Sequence, residues 1–412
     1  MAVSVDIDYR RSGSLKGGIA CRPQERYGHS AGTVGGKLYL WAGGSKHVPP
    51  VHTSADKEQL MAKTEIFSLK NGRWERHHTR GSSHCGISYY AIAVVDESIY
   101  YFGGQCGHGT CYYNTLTKLD TVEMKWKDVQ TNLVGIPMKK YSCGMVSFQC
   151  DGDTYLFLFG GIGEVDESEQ VPGATYIVSS TNPKICRTNE HHIISTTTNK
   201  WTIPQIEGDC PPALSGLTLT AIGGNRAILF GGYESGKGKS NAVYVAELTK
   251  DVVTWKRYDA PPDAQWPVGR SDHSATLLTG HAGRQPHPLL VIGGGIDVAG
   301  GLLADCWILN TSDMTWTKID APASDIGRTL FSMSIMNIGA PYVWLILFGG
   351  ATKWEKGLST KDQGVTASTT VIELGWNQES QQWRYTSTIA LNDYQQALKD
   401  KLSERKKLPA EK

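Results

Sequence analysis

The chain has 412 residues, with 41 Lys and Arg against 40 Asp and Glu, and a net charge of +1. No basic face recurs along it, which argues against a nucleic-acid partner. No run of eighteen apolar residues exists, so no membrane-spanning helix is expected, and the polar, charged start reads as no signal peptide, which points to cytoplasm or nucleus.

The first element is a period-two alternation, Val3, Val5, Ile7 and Tyr9. It reads as a strand, expected to pair with the last repeating unit and help close a ring. From there a unit of about 60 residues recurs. Apolar runs end in Gly43-Gly44, Gly103-Gly104, Gly160-Gly161, Gly231-Gly232, Gly293-Gly294 and Gly349-Gly350, and each is followed by a spaced tryptophan: Trp74, Trp126, Trp201, Trp255, Trp316 and Trp383. An apolar residue stands seven positions before the tryptophan in five units (Phe67, Leu119, Ile194, Leu248, Leu309), and Leu374 stands nine before it in the sixth.

The fifth unit illustrates the physics. Arg270 to Leu278 reads as a first strand with small residues at its start, which suits a crowded inner position. Leu289 to Ile292 is continuously apolar, as in a strand covered on both faces. The glycines that follow permit backbone angles and close approaches that other residues avoid. Asp305 to Leu309 reads as a third strand, Asn310 to Met314 as a turn, and Trp316 opens a fourth, its ring filling the wedge between neighbouring units. One such sheet leaves both faces uncovered; six in a ring cover one another. The expected fold is all-β, a six-bladed propeller with four-stranded antiparallel blades. The glycine pairs and tryptophans are therefore structural.

The chain ends in a predicted short helix. Asn392 is its expected N-cap, and Leu391, Tyr394, Leu398 and Leu402 form a narrow apolar stripe, stopped near Pro409. The expected domains are an N-terminal segment over 1–23, the propeller over 24–390 and a charged tail over 391–412. The stripe suits packing on the outer wall, or docking of a partner.

Nine cysteines, an odd number with no C-x-x-C pair, read as free thiols in a reducing compartment. Cys106 and Cys111 bracket a glycine-rich loop and are close enough in sequence to meet. His77-His78 and His191-His192 are adjacent, so on strands they face opposite ways and do not share a metal. Neither G-x-S-x-G nor H-E-x-x-H is present. No catalytic residue, metal site or cofactor is expected.

These repeats resemble the kelch-repeat family: an apolar strand, Gly-Gly, a variable loop, a third strand and a spaced Trp, six times over residues 24 to 390. In propellers of this kind recognition sits on loops held by a rigid scaffold. The loops after the glycine pairs and the starts of the first strands are expected on one face, around the channel mouth. The long loops there are 45–63, 162–189 and 351–368; the middle one carries Glu164, Asp166, Glu167 and Glu169, then Lys184 and Arg187. Tyr27, Tyr141, Tyr233, Lys239, Arg270, Ser271 and Arg328 are the candidate ligand residues. Cations among aromatic rings suit an anion or the carboxylate of a peptide.

The layout also resembles the kelch-domain substrate receptors of cullin-RING ubiquitin ligases, which read protein C-termini. Ala20-Cys21-Arg22-Pro23-Gln24-Glu25-Arg26-Tyr27-Gly28-His29, the long insertion before His192, and Val268-Gly269-Arg270-Ser271-Asp272-His273-Ser274 carry this likeness. It implies ligase components as partners, and a carboxylate held by two arginines after the fourth glycine pair and a serine after the Gly-Arg of the fifth repeat. Ser271 matches that serine. Tyr233 stands at the first arginine, Gly238 beside Lys239 near the second, and Asp272 replaces a tryptophan. Lys does not substitute for a bidentate Arg, so diglycine specificity does not carry over. The elongin-binding Leu-x-x-x-Cys helix of those receptors has no counterpart, since no cysteine follows Cys306. The expected function is protein or peptide binding, as a ubiquitin-ligase substrate receptor; the alternatives are a scaffolding propeller using its sides and tail helix, and a propeller enzyme or metal protein.

Overall fold

Each repeat folds as an antiparallel sheet whose four main strands pair in chain order. The computed structural model describes residues 18–48, 51–52, 54–108, 111–132, 134–164, 170–180, 182–279, 287–338, 341–355 and 357–407. The predicted strand at residues 3–9 lies outside these.

The second blade is the simplest: Ala91–Val95, Ser98–Phe102, Leu116–Asp120 and Lys125–Asp128. The fifth runs Ser274–Leu278, Leu289–Gly293, Cys306–Asn310 and Thr315–Ile319, close to the sequence reading. The first blade gains an outer fifth strand, Ile19–Ala20, paired with Arg76 and Glu75. The fourth gains Gln205–Gly208, parallel to Val252–Trp255. The last blade, Ser332–Asn337, Tyr342–Phe348, Thr369–Asn377 and Gln382–Ile389, is complete within itself. Among the described residues no strand is exchanged between the chain ends to close the ring.

Closure comes instead from the backbone at the channel mouth. Gly28, Tyr89, Ser142, Gly216, Asp272 and Leu330, one per blade, all have φ between 52° and 66°. Each donates its N–H to the carbonyl of its counterpart in the preceding blade: Tyr89 to Gly28 (2.6 Å), Ser142 to Tyr89 (2.9 Å), Gly216 to Ser142 (3.1 Å), Asp272 to Gly216 (2.8 Å), Leu330 to Asp272 (2.9 Å) and Gly28 to Leu330 (2.9 Å). The six bonds form a complete circle, which fixes the blade count at six. Left-handed backbone costs an L-residue roughly 1–2 kcal/mol, so four non-glycine residues held there mark a geometry enforced by the whole ring. At Gly216 a Cβ would stand 2.7 Å from Asp272 Oδ1, so a larger residue there would displace the Asp272 carboxylate.

The tryptophans fill the wedges, as their spacing predicts. Trp74 packs on Phe348 across the seam between last and first blades (4.8 Å between rings), Trp126 on Trp41 (5.1 Å), Trp201 on Phe102 (5.7 Å), Trp255 on Phe159 (5.5 Å) and Trp316 on Phe230 (5.1 Å). Two glycine pairs shift register. In the fifth blade the left-handed pair is Gly294-Gly295, and Gly293 still belongs to the strand. In the first, Ala42 and Gly43 hold those places.

The C-terminal helix, Tyr394–Lys407, crosses the seam between the last and first blades. Its first hydrogen bond runs from Ala397 N to Asp393 O (2.9 Å), so the cap position falls on Asp393, one residue beyond the expected Asn392. Tyr394 is fully buried against Phe67 and Trp344, and its hydroxyl donates to Leu69 O at 2.8 Å. Leu398 is buried beside it, whereas Leu391 is exposed. Lys401 reaches Glu373 of the last blade at 3.1 Å and lies over the Tyr342 ring. Among the described residues no helix is long and apolar enough to cross a membrane.

Candidate functional site

The first strands are preceded by cations, and their surroundings decide what they do. Arg270 is fully buried. Its guanidinium grips both oxygens of Asp305 (2.7 and 2.9 Å) and donates to Gly294 O (3.0 Å). Arg26 does the same in the first blade, bonding Glu65 and Ala42 O (2.7 Å). Arg328 donates to Thr370 Oγ1 (2.8 Å), Asp325 O (3.2 Å) and Gly349 O (3.4 Å), and burial lowers its pKa to about 10. In the third blade Lys140 meets Glu190 at 2.8 Å with both side chains fully buried. In the second, His84 bonds Gly103 O at 2.7 Å. In the first, second, fifth and sixth blades these groups tie the entry to the blade's own glycine turn, and in the third Lys140 is tied to Glu190 instead. Arg270 and Arg328, expected as ligand-binding cations at the mouth, are buried and act as internal fasteners, although Arg328 Nε is left without a hydrogen-bond partner among the described residues. The sequence pattern puts them beside the mouth, where an arginine either meets a ligand or fixes loops by bonding neighbouring carbonyls, and it does not reveal the Asp305 carboxylate that holds Arg270.

Glu190 is the most enclosed of these acids. Burial works to raise its pKa, and the Lys140 ammonium and His192 outweigh that, holding the carboxyl far below the ordinary range. Tyr176 OH donates to its other oxygen at 2.7 Å.

An open cleft of about 720 Å³ lies above the ring of backbone bonds. Tyr141, Tyr233, Lys239 and Ser271, four of the expected residues, line it together with Arg187, Asp272, Ile177, Val178 and Trp354. Tyr27 stands behind it, its ring 6.0 Å from that of Tyr89, which lines the cleft. Tyr233 belongs to a small hairpin with Lys239 as its cross-strand partner. Lys239 Nζ donates to Asp297 O at 2.7 Å, and burial lowers its pKa against the pull of Asp272 and Asp297. Ser271 Oγ donates to Asp272 Oδ2 at 2.8 Å. Burial raises the Asp272 pKa; the Ser271 bond, Lys239 and Arg187 act in the other direction.

Arg187 is a residue that sequence reading places in a mouth loop but gives no ligand role. It sits in the long third-blade insertion, which reads in the sequence as an acid-rich loop at the mouth. The insertion folds instead as a small sheet over the mouth: Ile162–Glu164, Tyr176–Val178 and Ile185–Thr188, with Lys140–Tyr141 at its edge. That sheet aims Arg187 into the cleft. Its guanidinium lies 4.5 Å from the centre of the Tyr233 ring and donates to Ser215 Oγ (3.0 Å) and Ser235 Oγ (2.8 Å). Among the described residues it makes no ion pair. Val178 stands in the same wall, half-exposed. The only sequence signal was an isolated Arg beside Cys186 in a strand-like Ile-Cys-Arg-Thr.

Below the cleft the channel narrows to one small or apolar side chain per blade: Ala31, Ile92, Met145, Leu219, Ala275 and Met333. At its rim His29 meets Ser332 Oγ (3.2 Å) and His273 meets Thr218 Oγ1 (2.9 Å), each linking its blade to the preceding one. Burial lowers both pKa values to about 3, so both are neutral.

Comparison with known proteins agrees with this architecture. A model of the KLHDC2/KLHL20/DRC7 Kelch-repeats domain matches residues 14–170 and 167–360. The chain is a kelch-repeat protein. Among its kelch relatives, Kelch domain-containing protein 2 of Bos taurus is 27% identical over 342 residues, covering 81% of this chain and 77% of that one. Kelch domain-containing protein 1 of Homo sapiens is 26% identical, covering 73% and 70%. Acyl-CoA-binding domain-containing protein 5 of Arabidopsis thaliana is 26% identical over 72% of this chain, but the match takes in 41% of that protein. The solved structure of YjhT superposes with a TM-score of 0.57 at 14% identity, covering 89% of this kelch chain and 98% of YjhT; that likeness concerns the fold.

Proposed function

We propose that this kelch propeller binds a protein or peptide segment in the cleft above its channel, with Arg187, Tyr233 and Lys239 as the principal contacts and Tyr141, Ser271 and Tyr27 shaping the pocket. The observation that carries this reading is the state of Arg187. It is a cation stacked on an aromatic ring and oriented by two hydroxyls, whose hydrogen-bond partners are neutral. A guanidinium so held is pre-organised to receive a carboxylate or a backbone carbonyl. The apolar wall of Ile177, Val178 and Trp354 supplies the hydrophobic area that a peptide side chain needs. Membership of the kelch family supports protein binding as the class of activity.

Within that reading the chain acts as a substrate receptor of a ubiquitin ligase, with ligase components contacting it outside the cleft. Support for this finer role is the likeness around Ser271 and the relatives named above. The unit that binds is taken as residues 24–390. The tail, 391–412, serves as its fastener, because the apolar residues Tyr394 and Leu398 are spent on the seam.

A library of internal and C-terminal peptides, panned on the wild-type chain and on Arg187→Ala, tests the cleft. Enrichment of a motif that the variant binds at least about tenfold more weakly is expected, in line with about 1.5–3 kcal/mol for a hydrogen bond to a charged group. Failure to enrich any motif, or equal binding by the variant, overturns the reading. Affinity purification resolves the ligase role: recovery of elongin and cullin supports it, and their absence with substrate retained leaves a binding module without that link.

A further inference from the structure

Outside the cleft, one cluster of side chains has no part in the fold's repeating logic. It forms where the post-glycine loop of the first blade meets that of the second. His52, Cys106, His108 and Cys111 bring two imidazole nitrogens and two thiol sulfurs within 4.8 Å of one another. Cys106 Sγ lies 2.7 Å from His108 Nδ1, Cys111 Sγ lies 3.6 Å from His52 Nδ1, and the two imidazole rings are 5.5 Å apart.

Local backbone structure explains the convergence. Gln105 pairs with Tyr112, and Cys106 N donates to Cys111 O at 3.1 Å, so the two cysteines face each other at the base of one hairpin loop. His52 arrives from the other blade, just ahead of the helix Ala55–Met61, whose N-cap is Ser54. Lys57 of that helix is buried, and its ammonium donates to His52 O (3.2 Å), Val51 O (3.3 Å) and Cys106 O. One lysine thus staples the two ligand-bearing loops together.

We propose that His52, Cys106, His108 and Cys111 form a four-coordinate zinc site. Two soft thiolates and two imidazoles are a donor set that tetrahedral Zn²⁺ favours, at about 2.3 Å to sulfur and 2.0–2.1 Å to nitrogen. Bond lengths of that size put neighbouring ligand atoms roughly 3.3–3.8 Å apart, so occupancy needs only small side-chain shifts from the present spacing. Both thiols give up their protons to solvent on binding, and two thiolates balance the charge of the ion. No ligand position is left open, which makes the site structural. Its effect reaches the mouth of the propeller: Tyr112, adjacent to Cys111, stacks at 5.0 Å on Tyr141, which lines the cleft. Zinc would lock the first two post-glycine loops into one rigid wall.

Untagged full-length protein, purified with reductant and supplied with zinc, then freed of excess metal, is assayed by elemental analysis. About one zinc per chain is expected, lost in Cys106→Ser and in Cys111→Ser, and retained in the control Cys85→Ser. Cys106 is buried, so its variant risks misfolding. His52 is exposed, and folded His52→Ala should hold zinc at least about 10–100-fold more weakly, no less than loss of an outer-shell partner costs. Cobalt in place of zinc should give thiolate charge-transfer bands and the intense visible bands of a tetrahedral ion. Absence of zinc from the wild-type chain, full retention by all three ligand variants, or a Cys106–Cys111 disulfide in protein prepared without reductant that binds no metal once reduced, would each overturn the site.

Discussion

Arg270 and Arg187 stand near the same mouth and do opposite things. Arg270 is fully buried and holds a bidentate carboxylate, Asp305. Arg187 is half-buried, rests on Tyr233 and bonds two serine hydroxyls. A guanidinium whose charge is matched inside the fold belongs to the scaffold, and one oriented by neutral groups keeps its charge for a ligand. The type of partner, more than proximity to the channel, separates the two roles.

The widest break in that comparison comes from the most enclosed scaffold pair. Lys140→Met leaves Glu190 buried without its ammonium and should cost about 3–5 kcal/mol, read as a lower urea midpoint; a loss under 1 kcal/mol would show that Tyr176 and His192 suffice. Removal of the seam fastener is next. Tyr394→Ala empties a fully buried ring site and loses a hydrogen bond, and about 3 kcal/mol of destabilisation is expected, with deletion of 391–412 at least as damaging.

Acid should act on the scaffold through its buried histidines. His29, His191 and His273 have pKa values near 3 and His84 near 4, all lowered mainly by burial. They stay neutral in the fold, while the unfolded chain takes up protons below about pH 6.5. Stability therefore falls as pH drops from there toward 4, by up to about 1.4 kcal/mol per pH unit for each histidine. The depressed Glu190 contributes fully above about pH 4.3 and is lost as pH falls further. Urea titrations from pH 8 to 4 measure the slope, and a flat profile between 6.5 and 4.5 would contradict the assignment of neutral buried histidines. The smallest effect sharpens the comparison from the other side. Arg187→Ala loses its hydrogen bonds to Ser215 and Ser235 and should cost about 1 kcal/mol, well below Tyr394→Ala, so the variant stays folded and its lost binding is not a folding defect.

The fold was legible because its signal is local and repeated. A tryptophan, a glycine turn and an apolar strand recur in register, and the wedge each ring fills is dictated by the unit beside it. Even so, Gly293 proved to be strand, since three consecutive glycines leave the register open. The site was legible only in part. Tyr141, Tyr233, Lys239 and Ser271 do share one cleft, because glycine turns and strand starts meet on one face. Arg187 was hidden in an insertion whose sheet depends on distant pairing with Lys140 and Tyr141. The donors of the zinc site come from two loops 54 residues apart (His52 and Cys106), and no spacing rule joins them.

The hoop of six backbone hydrogen bonds around the mouth has an electrical consequence. In a helix, amide dipoles add along the axis and leave partial charges at the ends. Here every N–H points the same way around a circle, and vectors arranged head to tail on a circle sum to nothing. The hoop thus adds no net dipole in its own plane, and the charge an incoming ligand meets there comes from side chains such as Arg187, Lys239 and Asp272.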